Sequence, residues 1–242
     1  MNVLRDQLAL VTGASGGIGG AISTALAKHS ARLILMGRDG RKLLAREKEL
    51  RSSTSSLETR VCDLTKPEQI EEACAHISDK YERLDILVHC AGVIEHGSLA
   101  DAPLASMDLQ YAANVRGPLL LTQRLLPLLK KPMGQIVFIN SSAGLKARPN
   151  AGQFSATQHA FKALADALRD EVNSEGVRVL SVFAGRTATA RIAALHKKEG
   201  CDFRPELLLQ PQDLANVVIN VLTLPWTAEV MNVDIRPMLK SY

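Results

Sequence analysis

One eight-residue stretch constrains this chain more than any other: Thr12-Gly13-Ala14-Ser15-Gly16-Gly17-Ile18-Gly19, set between an apolar run and a helical pattern. Glycine accepts backbone conformations and close approaches that a Cβ forbids. Gly13 permits a tight turn, Gly17 lets the backbone come near a pyrophosphate, and Gly19 allows a helix to pack closely on a strand. A helix opening here turns free N–H groups and a partial positive charge toward bound phosphate, with Ser15, Gly16 and Ile18 in the same loop. Glycine-rich turns are common. The place of this one, between the first strand and first helix of a βαβ unit, makes it specific.

The rest of the chain repeats that unit. Apolar runs at 8–12, 32–37, 57–63, 84–91, 135–140 and 177–183 are continuous rather than alternating, as strands covered on both faces require. Helical patterns at 17–29, 40–51, 67–81, 104–130 and 151–175 fall between them, and 211–224 and 230–235 read as a last helix and strand. Pro67 suits a first helical turn with Thr65 as its cap, Asp39 is placed to cap the helix at 40–51, and Pro118 and Pro127 should bend or shorten the fourth helix. Such alternation makes right-handed crossovers. The expected fold is α/β, a single-domain Rossmann-type doubly wound parallel sheet of about seven strands with helices on both faces. It spans 1–242, with the weakly periodic segment 185–210 as an irregular substrate lobe or lid.

Composition agrees with one domain: 242 residues and 46% hydrophobic content are ample for a single large core. A net charge of +4 is too mild for a nucleic-acid partner. Four cysteines show no C-x-x-C pair, so reduced thiols and no metal site are expected. Residues 1–7 are polar, and no apolar run reaches the roughly 20 residues of a membrane span. A cytoplasmic chain without a membrane partner is the expectation.

The T-G-x-x-x-G-x-G spacing resembles the short-chain dehydrogenase/reductase family, and the resemblance extends over essentially the whole chain. Cys62-Asp63-Leu64 resembles the family's adenine-contacting aspartate site, and Cys90-Ala91-Gly92 stands where the family usually has Asn-Ala-Gly. Asn114 matches the helix asparagine of its catalytic tetrad and Ser141 its catalytic serine. Ala184-Gly185-Arg186-Thr187-Ala188-Thr189 resembles the later Pro-Gly-x-x-x-Thr segment, adding Gly185, Thr187 and Thr189 to the cofactor contacts implied. The family reaction is hydride transfer between a nicotinamide cofactor and a carbonyl or alcohol. Its members commonly pair equivalent helices between subunits, which implies a homodimer or homotetramer.

Cofactor choice is read at the end of the second strand. An acidic side chain there would hold both ribose hydroxyls of NAD and repel a 2′-phosphate. This chain has Gly37-Arg38, whose guanidinium offers a fork of donors to phosphate, so NADP(H) is favoured.

The catalytic motif departs from the family. Phe154 and Gln158 occupy the Tyr and Lys positions of Tyr-x-x-x-Lys, thirteen residues after Ser141 in the family's common register. Phenylalanine has no ionisable hydroxyl; Gln158 can hydrogen-bond ribose but brings no charge. Two readings follow. One is an NADP(H)-binding scaffold with impaired or absent activity, whether pseudoenzyme, regulatory subunit or inactivated variant. The other is an active NADPH-dependent carbonyl reductase with a different proton donor. Tyr81 and Tyr242 lie away from the motif, Tyr111 reads as core, and His159 faces away from the cofactor. His96, in a loop that borders the substrate pocket, is the best substitute acid. Leu145, Ala147 and Ile192 give that pocket an apolar lining, while Lys146, Arg148 and Arg191 would accept an anion.

Overall fold

Successive residues of a strand point to opposite faces of a sheet, so an unbroken apolar run needs cover on both. In the computed structural model, which describes residues 4–239, that cover is present. Seven strands form one parallel sheet: β1 (Leu8–Thr12), β2 (Arg32–Gly37), β3 (Leu57–Val61), β4 (Ile86–His89), β5 (Gln135–Ser141), β6 (Arg178–Ala184) and β7 (Asn232–Ile235). Their spatial order is β3-β2-β1-β4-β5-β6-β7. The expected architecture is therefore the observed one.

The two faces bury alternate side chains of the same strands. On one, Ala9, Val11, Leu33 and Leu35 pack with residues of α1 (Gly17–Lys28), α2 (Gly40–Leu50) and α8 (Pro211–Leu222), among them Ile22, Leu26, Leu43 and Val218. On the other, Leu8, Leu10, Ile34, Met36 and Phe138 pack with α3 (Pro67–Lys80), α5 (Gly117–Lys130) and α6 (Gly152–Val172) through Ile70, Ile77, Leu121, Leu125 and Phe161.

Several boundaries differ from expectation, each for a local reason. β3 is an edge strand paired only with β2. It stops at an exposed Val61 and is half-buried rather than fully covered. The pattern at 104–130 is two helices, α4 (Leu104–Tyr111) and α5, joined by a π-helical turn over Ala112–Arg116. The break lies before Pro118, which occupies the first turn of α5, and Pro127 is accommodated inside α5. Gly117 sets the close approach there, since a Cβ on it would lie 2.4 Å from the Leu64 carbonyl oxygen. Tyr111 is 48% exposed, not core. Thr65 does not cap α3, whose N-cap is Lys66; its hydroxyl donates to Asp63 Oδ1 at 2.8 Å instead. Asp39 does cap α2, accepting from Lys42 N at 3.2 Å. The segment 185–210 is not irregular, for it contains helix α7 (Ala190–Glu199) and a 3₁₀ turn at Pro205–Leu207. Tyr242 lies outside the described residues, among which no helix is long and apolar enough to cross a membrane.

The contrast between centre and edge is measurable by urea unfolding. Ile34→Ala, at a fully buried position of β2, should cost about 2–5 kcal/mol. Val61→Thr, at the exposed edge, should stay within about 0.5 kcal/mol of the parent. Equal losses would contradict this layering.

Candidate functional site

In an open parallel sheet, ligands gather beyond the strand carboxyl ends where the strand order reverses. Here that point lies between β1 and β4, which neighbour each other although two strands intervene in sequence. Thr12 joins them. Its hydroxyl donates to the Val88 carbonyl at 3.2 Å and accepts from the N–H groups of Cys90 and Ala91 at 2.9 and 3.1 Å. Beyond this junction opens a cleft of about 1250 Å³, above the ~300–1,000 Å³ of pockets for drug-sized molecules.

The glycines behave as the sequence requires. Gly13 has φ 68°, and a Cβ there would lie 2.9 Å from Ala91 N. A Cβ on Gly19 would meet the Gly13 carbonyl oxygen at 2.4 Å, so any larger residue separates helix from strand. At Gly16 a Cβ would meet nothing within 4 Å, leaving space where the helix opens. No side chain caps the N-terminus of α1. Its first N–H groups therefore remain for an anion.

Every residue singled out from the sequence as a cofactor contact or a tetrad position lines this one cleft. Ser15, Gly17, Ile18, Arg38, Asp63 and Leu64 lie toward β1–β3; Cys90, Ala91, Gly92 and Asn114 follow β4; Ser141, Phe154 and Gln158 come from β5 and α6; Gly185, Thr187 and Thr189 follow β6. Arg38 is exposed at the edge and makes no hydrogen bond or ion pair among the described residues. Asp39 is engaged elsewhere. The backbone N–H of Lys42, and then the Lys42 and Arg41 charges, hold its carboxyl below the usual carboxylate range.

Around Ser141 the geometry is tightly specified. Its hydroxyl oxygen accepts from Ala143 N at 3.1 Å. Phe154 and Gln158, one helical turn apart on α6, are both buried at the cleft wall, 7% and 6% exposed. Gln158 donates or accepts nothing through its carboxamide among the described residues, while its backbone carbonyl accepts from Asn140 Nδ2 at 3.1 Å. Asn114 sits in the π turn with its carboxamide fully occupied. It accepts from Val93 N at 2.7 Å and donates to Val93 O at 2.9 Å and Thr157 Oγ1 at 3.1 Å. It thus ties the loop after β4 to α6.

Four side chains escaped the sequence reading. Asn140 staples β5 to α6, accepting from Ser141 N at 2.6 Å and donating to Gln158 O; a polar residue near the end of an apolar strand was its only signal. Glu199 reaches His96, whose Nδ1 lies 2.6 Å from Glu199 Oε1, and Arg186 donates to Glu199 Oε2 at 3.3 Å. His89, next to the motif Cys90-Ala91-Gly92, is core. Burial lowers its pKa to about 3, and its Nε2 pairs with Thr122 Oγ1 at 2.8 Å.

Arg191, expected among the substrate-facing cations, stands in the cleft at the first turn of α7 and within electrostatic range of Arg38 and Cys90. Desolvation first, and then the Arg38 charge, push its pKa down, with Cys90 opposing. His159 bonds along its own helix to the Ser155 carbonyl at 2.8 Å and does not line the cleft. Among the described residues no group of three or more His, Cys, Asp or Glu could hold a metal ion.

The fold and cleft define a Rossmann-type α/β domain with a phosphate-binding glycine loop. Residues 7–200 match the family model described as short chain dehydrogenase, and the chain belongs to that family. An oxidoreductase of Staphylococcus aureus (strain USA300), named as uncharacterized, is 31% identical over 239 residues, covering 98% of this chain and all of the relative. Among solved structures, a metagenomic short-chain oxidoreductase in complex with NADP is 30% identical with a TM-score of 0.84, covering 98% and 99% of the two chains. A short chain dehydrogenase of Escherichia coli CFT073 complexed with NADPH is 29% identical with a TM-score of 0.88, covering 96% and 98%.

The thiols give a direct check on this burial. Desolvation pushes Cys62 up to about 11 and Cys74 and Cys90 up to about 12, whereas Cys201 is exposed. Alkylation at pH 8 should label one thiol in the native chain and four after denaturation. Native labelling of Cys90 would show a more open cleft.

Proposed function

We propose that this chain is an NADP(H)-binding oxidoreductase scaffold of its family in which binding survives and the family's tyrosine-dependent proton transfer does not. One observation carries the reading. The phosphate loop, an unpaired Arg38, Ser141, Phe154 and Gln158 share one cleft, so the departure from the family motif is confined to its proton-transfer corner.

The residues fit the cofactor. A cradle that a Cβ on Gly13 would fill, with the uncapped start of α1, suits a pyrophosphate. Arg38, with no partner among the described residues, suits a 2′-phosphate. Gln158, with its carboxamide uncommitted, suits the nicotinamide ribose. The reduced nicotinamide would supply hydride to a carbonyl substrate, the chemistry of the NADP-bound relatives' family. Ser141 keeps a hydroxyl for the substrate oxygen.

Two losses of different kind follow. Glutamine in place of lysine removes a charge-assisted contact worth about 1.5–3 kcal/mol of cofactor affinity. Phenylalanine in place of tyrosine removes a general acid worth a factor of ~10²–10⁴ in the chemical step. A second reading, turnover through another donor, is favoured by one contact only, that of His96 with Glu199 beside Phe154.

The decisive comparison is with Phe154→Tyr/Gln158→Lys. On a panel of ketones and aldehydes the double variant should turn over NADPH at least about 10²-fold faster than the parent, with tighter NADPH binding. A parent rate equal to that of the double variant would overturn the reading.

A further inference from the structure

A proton donor must reach the substrate oxygen, carry a proton near neutral pH and be held in one orientation. Beside Phe154 the cleft holds an imidazole fixed by a carboxylate. His96 lies on the loop after β4, lines the cleft, and has its ring 6.3 Å from the Phe154 ring, centroid to centroid. It is partly shielded, with its side chain 18% exposed. Its Nδ1 faces Glu199 Oε1 at 2.6 Å. A carboxylate on Nδ1 fixes the proton there and leaves Nε2 as the exchangeable position.

Glu199 is itself fixed. Arg186 donates to its other oxygen at 3.3 Å and to His196 Nε2 at 2.9 Å. His196 Nδ1–H in turn donates to the Asp202 carbonyl at 3.0 Å. Arg186, Glu199 and His96 all line the cleft. A chain of four side chains therefore runs from the buried His196 to the loop beside Phe154, joining residues 103 positions apart at its last contact. The adjacent Glu95 is paired with Lys198 of α7 at 2.9 Å, and Lys146 and Arg148 of the connection between β5 and α6 line the same cleft. The carboxylate of Glu199 is the charge in contact with the ring.

We infer that His96 is the proton donor behind the residual turnover of this cleft, slower than a tyrosine would be, with Glu199 as its positioning residue. The inference rests on the reading that the cleft binds NADP(H) and a carbonyl substrate. With hydride supplied by reduced nicotinamide, a C–H bond forms at the carbonyl carbon and the C=O π bond opens. The oxygen takes the proton from Nε2 of the His96 imidazolium, giving the alcohol and oxidised nicotinamide. His96 is left neutral with Nδ1–H on Glu199, and a solvent proton restores it. In the oxidative direction the same Nε2 accepts the alcohol proton.

The test uses the full chain, NADPH and a panel of ketones and aldehydes, with NADPH affinity followed separately by nucleotide fluorescence. The parent should turn over at least one substrate. His96→Gln keeps a hydrogen-bonding group toward Glu199 but cannot donate this proton. It should lower kcat by about 10²-fold or more, with KM and NADPH affinity little changed. Glu199→Gln, which keeps the side chain's size and removes its charge, should lower kcat by a smaller factor, again with KM and NADPH affinity little changed. If the two pairs merely latch α7 to the loop, His96→Gln and Lys198→Gln will raise KM alike and leave kcat intact; that result overturns the inference. So does a parent that binds NADPH but reduces nothing on a panel the Phe154→Tyr/Gln158→Lys variant reduces. A parent that fails to bind NADPH refutes the cofactor reading itself.

Discussion

The hydroxyl of Thr12 holds the point on which the rest of this structure depends. It bridges the ends of β1 and β4, where the strand order reverses, by one donated and two accepted hydrogen bonds. A parallel sheet leaves a crevice at such a reversal, and the chain fills its surroundings with glycine so that backbone can line it. Gly13 touches the strand on one side and Gly19 touches Gly13 on the other. Each contact is closed to any side chain. The phosphate loop is thus less a binding motif added to a fold than the place where the first strand, first helix and fourth strand are allowed to meet.

Binding and proton transfer are assigned to different parts of this cleft. On the proposed reading, the loop, the end of β2 and the uncapped start of α1 would address phosphate, and β5 and α6 the reacting end. Asn140 and Asn114 tie α6 to β5 and to the loop after β4. Because that scaffolding uses side chains other than Phe154 and Gln158, exchange at these two positions leaves the wall in place. Phe154 keeps a ring against His96, and Gln158 keeps its backbone carbonyl on Asn140. This is the physical reason that affinity and chemistry can part here.

Much of the fold was legible because its signals are local. Continuous apolar runs bounded by glycine marked β1, β2, β5 and β6, and the glycine spacing placed the first turn. What escaped depends on distance or on phase. A π turn at Ala112–Arg116 inserts an extra residue, rotating α4 by about 100° against α5; one continuous helical phase across 104–130 therefore put Tyr111 inside when it is exposed. β3, Leu-Glu-Thr-Arg-Val, is polar at Glu58, Thr59 and Arg60, as a half-solvated edge strand can be, and reading it as one more continuous apolar run hid its place at the edge. All the tetrad and cofactor positions converge on one cleft, since motif spacing carries them. The partners of His96 could not be seen, because Glu199 is 103 residues away on a helix whose sequence has little periodicity.

The central claim, that the cleft still holds its dinucleotide without a lysine at position 158, is tested most directly by calorimetric titration of the unmodified chain with NADPH and with NADH. The account predicts saturable binding of one NADPH per chain, at least about tenfold tighter than NADH, a difference of about 1.4 kcal/mol. It predicts that Arg38→Asp reverses the preference. No saturable binding of either nucleotide, or NADH bound as tightly as NADPH by the parent chain, would contradict it.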